Sequence, residues 1–185
     1  VMGSAYMSKH MKIENPRVGL ANIGSEPTKG REQELESYDR LSRAPINFIG
    51  NVEGRDIPLG GADVVVADGF TGNMILKTME GMGKFFSMAL KDMFKSGVSS
   101  SVGALLMKNS LMAFKKKMDY TEYGGAPLLG TAKPVIKAHG ASNENAFFNA
   151  IRQAKIFVET KVIDEISSAL AEIKAGESEE DGQAK

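Results

Sequence analysis

The stretch Asp63-Val-Val-Val-Ala-Asp-Gly-Phe-Thr-Gly-Asn-Met-Ile-Leu-Lys77 leaves the rest of the chain few options. Val64, Val65, Val66 and Ala67 form an unbroken apolar run rich in β-branched residues. Such a run suits a strand covered on both faces of a parallel sheet, not a half-exposed one. It stops at Asp68-Gly69, and a helical pattern follows at once. Gly69 and Gly72 permit positive φ and the close approach of a ligand, and Thr71 is placed to cap a helix beginning at about Asn73. Amide groups at such a helix start, with the positive end of its dipole, favour phosphate or a developing oxyanion. The same residues also suit a plain tight connection, and the stretch contains neither a G-x-G-x-x-G fingerprint nor a G-x-x-x-x-G-K-[ST] loop.

With 185 residues the chain has room for one ordinary core, or for one lobe of something larger. Lys and Arg total 23 against 23 Asp and Glu, so no global field draws in nucleic acid, and any steering is local. The absence of cysteine excludes disulfides, thiolate metal sites and thiol nucleophiles. With two histidines, His10 and His139, a His-rich metal site is not expected. The apolar stretches fall short of the roughly 20 residues a bilayer span needs. A cytoplasmic protein is the expectation.

Two further segments repeat the opening pattern. Arg17–Ile23 reads as a strand and runs into Gly24-Ser-Glu-Pro-Thr-Lys-Gly30; a helix from about Arg31 to Leu41 follows, with Leu35, Tyr38 and Leu41 on its inner face. Ile46–Ile49 reads as a short strand ending in the polar loop Gly50-Asn-Val-Glu-Gly-Arg-Asp56. Ligands of open α/β sheets sit beyond the carboxyl ends of the strands, so three such loops converge on one crevice. Lys29 and Arg55 are its candidate cations, and Asn22, Asn51 and Asn73 its neutral donors.

Val1–Met11 reads as a helix entered without capping residues, which points to a cut amino terminus, and Asn15-Pro16 closes it. Gly72 to about Lys95 carries a wide Met- and Phe-rich face. Val98–Met118 reads as a basic amphipathic segment with Lys108, Lys115, Lys116 and Lys117. It suits an anionic bilayer surface, an acidic protein or a dimer mate. In Asp119–Gly130 the paired glycines and proline argue against regular structure. Lys133–Gly140 reads as a fourth strand ending at His139, which is a base, a phosphate donor or a structural histidine. Ser142 is placed to cap one long last helix that Gly176 closes, ahead of an acidic, apolar-poor tail at 176–185 expected to be disordered.

Taken in order, Pro16-Arg-Val-Gly-Leu20, Asn22-Ile-Gly-Ser-Glu26 with Lys29-Gly30, Asn47-Phe-Ile-Gly-Asn-Val-Glu-Gly-Arg-Asp56, Asp68-Gly-Phe-Thr-Gly-Asn73, Tyr123-Gly-Gly-Ala-Pro-Leu-Leu-Gly130 and Ile136-Lys-Ala-His-Gly140 closely resemble the PlsX-type phosphate acyltransferases of bacterial phospholipid synthesis. The likeness runs nearly to the acidic tail. It implies a three-layer α/β/α sandwich with a mostly parallel sheet, related to phosphotransacetylases and isocitrate-type dehydrogenases. On that reading residues 1–175 are the C-terminal part of a single domain, with a helical hairpin and loop at 98–130, and the fold is incomplete at the N-terminus because members of the family are substantially longer.

The resemblance further implies transfer of a fatty acyl group from acyl carrier protein to inorganic phosphate, with no cofactor and no metal. The expected partners are acyl carrier protein, phosphate, a second copy of the chain, the membrane surface and the downstream glycerol-phosphate acyltransferase. No nucleic acid is among them. Lys29 and Asn73 match the positions expected to bind phosphate and stabilise the oxyanion. Asn22, Gly24, Asn51, Arg55, Asp56, Asp68, Gly69, Thr71, Gly72 and His139 are expected to bind or position substrate. The alternatives are a phosphotransacetylase acting on short-chain acyl-CoA and an inactive fragment that binds membrane or carrier protein.

Overall fold

A computed structural model describes residues 1–118, 124–140 and 142–183, with side chains described for 1–114, 124–140 and 142–173. The part of the expected 119–130 loop from Asp119 to Tyr123 lies outside the described residues, as do the side chains of Lys115, Lys116 and Lys117 and those of the expected tail, whose backbone is helical to Gln183 and not disordered.

The architecture is an α/β sandwich built on a parallel sheet. Strands β1 (Arg17–Asn22), β2 (Asn47–Glu53) and β3 (Val64–Val66) lie in the order β2-β1-β3, with β1 parallel to both neighbours. β1 takes the centre because Val18, Leu20 and Ala21 are all buried, the continuous apolar pattern of an interior parallel strand. Val18 is level with Phe48 and Val64, and Leu20 with Val66. At the start of β1 the Arg17 guanidinium holds both carboxylate oxygens of Asp63, at 3.0 and 3.1 Å, and the Gly60 carbonyl at 2.9 Å. That pair fastens the entry of β3 beside the entry of β1.

β2 is longer than the expected Ile46–Ile49. Gly50, at φ 91°, forms a bulge where the register against β1 shifts between Val18 and Leu20, and pairing resumes from Asn51 to Glu53. A residue with a Cβ resists this left-handed conformation. The expected loop from Gly50 therefore begins only after Glu53.

Helix α1 (Met2–Lys9) precedes the sheet, and α2 (Glu32–Arg43) connects β1 to β2. Tyr38 of α2 meets Phe48 of β2 edge to face at 5.2 Å, which seats the helix. Helix α3 (Gly69–Lys95) leaves the end of β3 and is followed by α4 (Val98–Leu106) and α5 (Lys108–Met118). Phe70, Met74, Met79, Phe85, Phe86, Met88 and Met93 of α3 are exposed, as are Val102, Leu105 and Leu106 of α4 and Met112 and Phe114 of α5. Among the described residues, no helix is long and apolar enough to cross a membrane.

The expected fourth strand does not join the parallel sheet. β4 (Gly125–Pro127) and β5 (Ile136–Ala138) form a separate antiparallel pair. Gly125 and Pro127 therefore lie within regular structure, because the pair uses only three residues on each side. The expected single last helix is two. α6 (Glu144–Glu159) is capped by Asn143, not Ser142; the Asn143 side-chain oxygen accepts from the Ala146 amide at 2.9 Å. It ends at Thr160, whose hydroxyl donates back to the Ile156 carbonyl at 2.7 Å, and Lys161 turns the chain at φ 51°. α7 (Val162–Gln183) then runs back, its backbone helical past Gly176. A second core lies where α1, α6 and α7 meet: Ala5, Phe157, Val162 and Ile166 are buried there, with Tyr6, Leu129, Ile136 and Leu170 packed around them.

Candidate functional site

Because the three strands are parallel, their carboxyl ends share one rim. Asn22 is level with Glu53, and Asp68 follows two residues after Val66, which is level with Leu20. Everything the rim carries comes from the three connections that leave it.

The first connection, from Ile23 to Gly30, is folded by two asparagines. The Asn22 amide nitrogen donates to the Lys29 carbonyl at 2.9 Å, and that of buried Asn51 to the Glu26 carbonyl at 2.8 Å. Asn22 and Asn51 thus spend a donor each on the loop backbone, and they set where Lys29 stands. The Lys29 ammonium is 3.9 Å from Glu26, and its side chain is half exposed. Gly24 lies beneath this pair; a Cβ there would come within 2.8 Å of the Glu26 carboxylate and 3.0 Å of the Lys29 stem.

The third connection departs from the expectation. Helix α3 begins at Gly69, four residues earlier than Asn73, and its cap is Asp68. One Asp68 oxygen accepts from the amides of Phe70 and Thr71 at 2.8 and 2.9 Å, while the other accepts from the Thr71 hydroxyl at 2.5 Å. Thr71 is a donor to the cap and not the cap itself. The glycines at 69 and 72 have helical backbone, so their use is small size, not positive φ. Asn73 sits in the second turn and is exposed. The amide groups at the helix start, read from sequence as an anion seat, are already held by an internal carboxylate.

Asp68 also reaches across the rim. The Arg31 guanidinium is 3.0 Å from Asp68 and is also bound by Glu34, whose carboxylate accepts from the Arg31 backbone amide at 2.8 Å. Arg31 is the N-cap residue of α2, so one side chain joins the starts of two helices. The sequence reading passed over Arg31 and Glu34. The sequence does carry a signal, since an acidic residue three positions after a helix start is the second half of a capping box.

The Thr71 hydroxyl and amide, then Arg31 and the Phe70 amide, hold the Asp68 carboxyl at about 2, down from its ordinary 3.8. A carboxyl depressed on folding stabilises above its unfolded pKa and loses that contribution as pH falls through the folded one. The cap is therefore intact at pH 5 and is lost only as pH drops below 3.8 and through about 2. A carboxyl-carbon NMR titration is expected to place the Asp68 midpoint near 2. A midpoint at the ordinary aspartate value would mean that the cap and the Arg31 bridge are not formed in solution.

Arg55 and Asp56 stand at the end of β2, where the Arg55 guanidinium is 3.1 Å from Glu53 and 3.9 Å from Asp56. The Asp56 carbonyl accepts from Gly61 at 2.9 Å and closes the turn toward β3. His139 stands apart from the rim, beyond β5. Glu80 of α3 has its carboxyl held below the usual range by Lys77 first and more weakly by His139 and Lys84. Glu80 lies three turns along α3, roughly 16 Å from its start. The structure thus gathers Asn22, Gly24, Lys29 and Asn51 around one loop and Asp68, Gly69, Thr71 and Gly72 at one helix start. Arg31 links the two groups, Arg55 and Asp56 flank them on the same rim, and a cavity of about 110 Å³ opens between Leu20, Glu34, Val66 and Asp68.

The sequence of this chain also matches a described family. A family model described as "Fatty acid synthesis protein" matches residues 1–165. The chain is 54% identical over 170 residues to a protein of Thermoanaerobacter pseudethanolicus named "Phosphate acyltransferase", covering 92% of this chain and 51% of the relative. Proteins of the same name from Thermoanaerobacterium thermosaccharolyticum and Lysinibacillus sphaericus are 55% and 53% identical over 166 and 175 residues, covering 90% and 94% of this chain and 50% and 53% of theirs. The chain thus spans about half the length of the curated relatives it matches. With most of its residues inside the match, it belongs to the fatty acid synthesis protein family, the PlsX-type phosphate acyltransferases.

Proposed function

We propose that this chain contributes the phosphate-binding and oxyanion-stabilising part of an acyltransferase that moves a fatty acyl group from acyl carrier protein to inorganic phosphate. A phosphate oxygen attacks the thioester carbonyl carbon, the carbonyl oxygen takes up negative charge, and the C–S bond breaks to release the carrier thiolate and an acyl phosphate. Such a site needs one fixed cation for the nucleophile and a donor aimed at the carbonyl oxygen. Lys29 is the cation, held in place through its own carbonyl by Asn22. Asn73 is the donor, one turn into α3 and clear of the occupied amides at its start. Arg55 and Asp56 border the same rim, and His139 serves the outer wall beside Glu80.

The observation that carries this reading is the convergence of the β1, β2 and β3 connections on one rim, in a chain more than half identical to proteins named phosphate acyltransferase. The exposed apolar side of α3, which begins at the rim with Phe70 and Met74 and is carried on by α4 and α5, favours a long acyl chain over acetyl. The same surfaces suit the bilayer or a second copy of the chain, and the lysines near Val98–Met118 suit acidic carrier protein. Hydroxylamine trapping of acyl phosphate in a full-length protein containing this chain distinguishes the substrates. Product is expected from palmitoyl carrier protein and phosphate, with much less from acetyl-CoA; a preference for acetyl-CoA would replace this reading with a short-chain phosphotransacetylase.

A further inference from the structure

We infer that Arg31 is a positioning residue, a brace that fixes the Lys29 loop relative to the start of α3; its functional consequence rests on the reading just given. Arg31 is the first residue after the loop, and its backbone and guanidinium are held by Glu34 of α2. The same guanidinium reaches Asp68 at 3.0 Å, and Asp68 is bonded to Phe70 and Thr71 of α3. The connection therefore runs unbroken from Lys29, two positions before Arg31, to the first turn of α3, the turn before the one that carries Asn73. Among the described residues no other ion pair links the segment 23–31 to α3.

Magnitude separates a brace from a plain surface pair. The Arg31 side chain is 65% exposed, and exposed ion pairs contribute little to stability. Its geometry matters more. A planar fork shared between two carboxylates fixes direction as well as distance, which a lysine ammonium does not do. The Glu34 and Asp68 side chains that hold it are only 12% and 19% exposed, so the carboxylates are the fixed points and the arginine spans them.

The test compares Arg31→Met, Arg31→Lys and Arg40→Met in a full-length protein containing this chain. Arg40 pairs with Glu36 at 2.6 Å on the outer side of α2 and serves as the control for loss of an exposed pair. Amide hydrogen exchange in 24–30 and 70–73 is expected to quicken several-fold together in Arg31→Met, to quicken less in Arg31→Lys and to stay unchanged in Arg40→Met. Titration with inorganic phosphate, read on the same amides, is expected to show binding weakened about tenfold in Arg31→Met, in line with the large penalties that small misplacements of positioned groups bring. Unchanged exchange in Arg31→Met overturns the brace whatever phosphate does, and so does equal quickening in Arg40→Met. If exchange quickens as described but the unmodified protein shows no phosphate response, the brace stands and the phosphate reading falls.

Discussion

In a full-length acyltransferase carrying this chain, Lys29→Ala is expected to lower kcat/KM for acyl phosphate formation by about 100- to 1,000-fold, the size seen when one preorganised charge-stabilising group is removed. Steady-state assays at varied phosphate separate its contributions. A cation that only seats the nucleophile raises the KM for phosphate, whereas one that also meets charge developing in the transition state lowers kcat. Asn73→Ala is expected to act mainly on kcat, since a neutral donor has little to offer a free phosphate dianion. The Lys29 backbone is fixed by Asn22 and Glu26 independently of its side chain, so Lys29→Ala leaves the loop in place and its effect reports on the ammonium. Unchanged turnover in Lys29→Ala would remove this lysine from the reaction.

The second large effect concerns the core. Phe157 is 3% exposed and packs with Ala5, Val162 and Ile166. Its ring is tilted against Tyr6 at 6.0 Å, and Tyr6 in turn stacks on His10 at 4.7 Å. Phe157→Ala opens a cavity at the one place where α1, α6 and α7 come together, and such truncations cost about 3–5 kcal/mol. Stability of a domain is itself only about 5–15 kcal/mol, so the variant is expected to unfold at markedly lower urea concentration. Phe148, on the same helix but 65% exposed, supplies the contrast: Phe148→Ala is expected to shift stability by no more than about 0.5 kcal/mol. Equal losses from the two variants would mean that the buried cluster does not hold the helices together. The core is remote from the rim, so Phe157→Ala affects unfolding without altering the Lys29 loop directly.

The rim shows how far local sequence reaches. The order of strand, glycine-bounded loop and helix was legible for β1 and α2, and the buried run at Val64–Val66 marked β3, because periodicity and turn chemistry act within a few residues. The sequence offers Thr71 as the cap of α3, and the structure uses Asp68. Asp68 and Thr71 are both capping residue types, and the choice fell to Asp68 because its second oxygen also receives Arg31, which is remote in sequence. Arg31 itself has no distinguishing local pattern apart from Glu34, and its significance lies in what it meets across the sheet.

The same division runs through the rest of the chain. Residue order alone determined the α/β class, the polar character of the loops after the strands, and the six motifs whose sequence likeness the family match supports. Tertiary structure alone decided that β1 stands between β2 and β3, that β2 continues past a bulge at Gly50, and that the 125–127 and 136–138 segments pair with each other apart from the main sheet. It also divided the last helical pattern at Thr160 and Lys161, where apolar spacing continues without interruption in the sequence but the chain must turn back to bury Val162 and Ile166 against Phe157. The physical reason is common to all of these. Hydrogen-bond partners of strands, and the cavities that apolar side chains fill, are supplied by residues far away along the chain, whereas propensity and periodicity register only near neighbours.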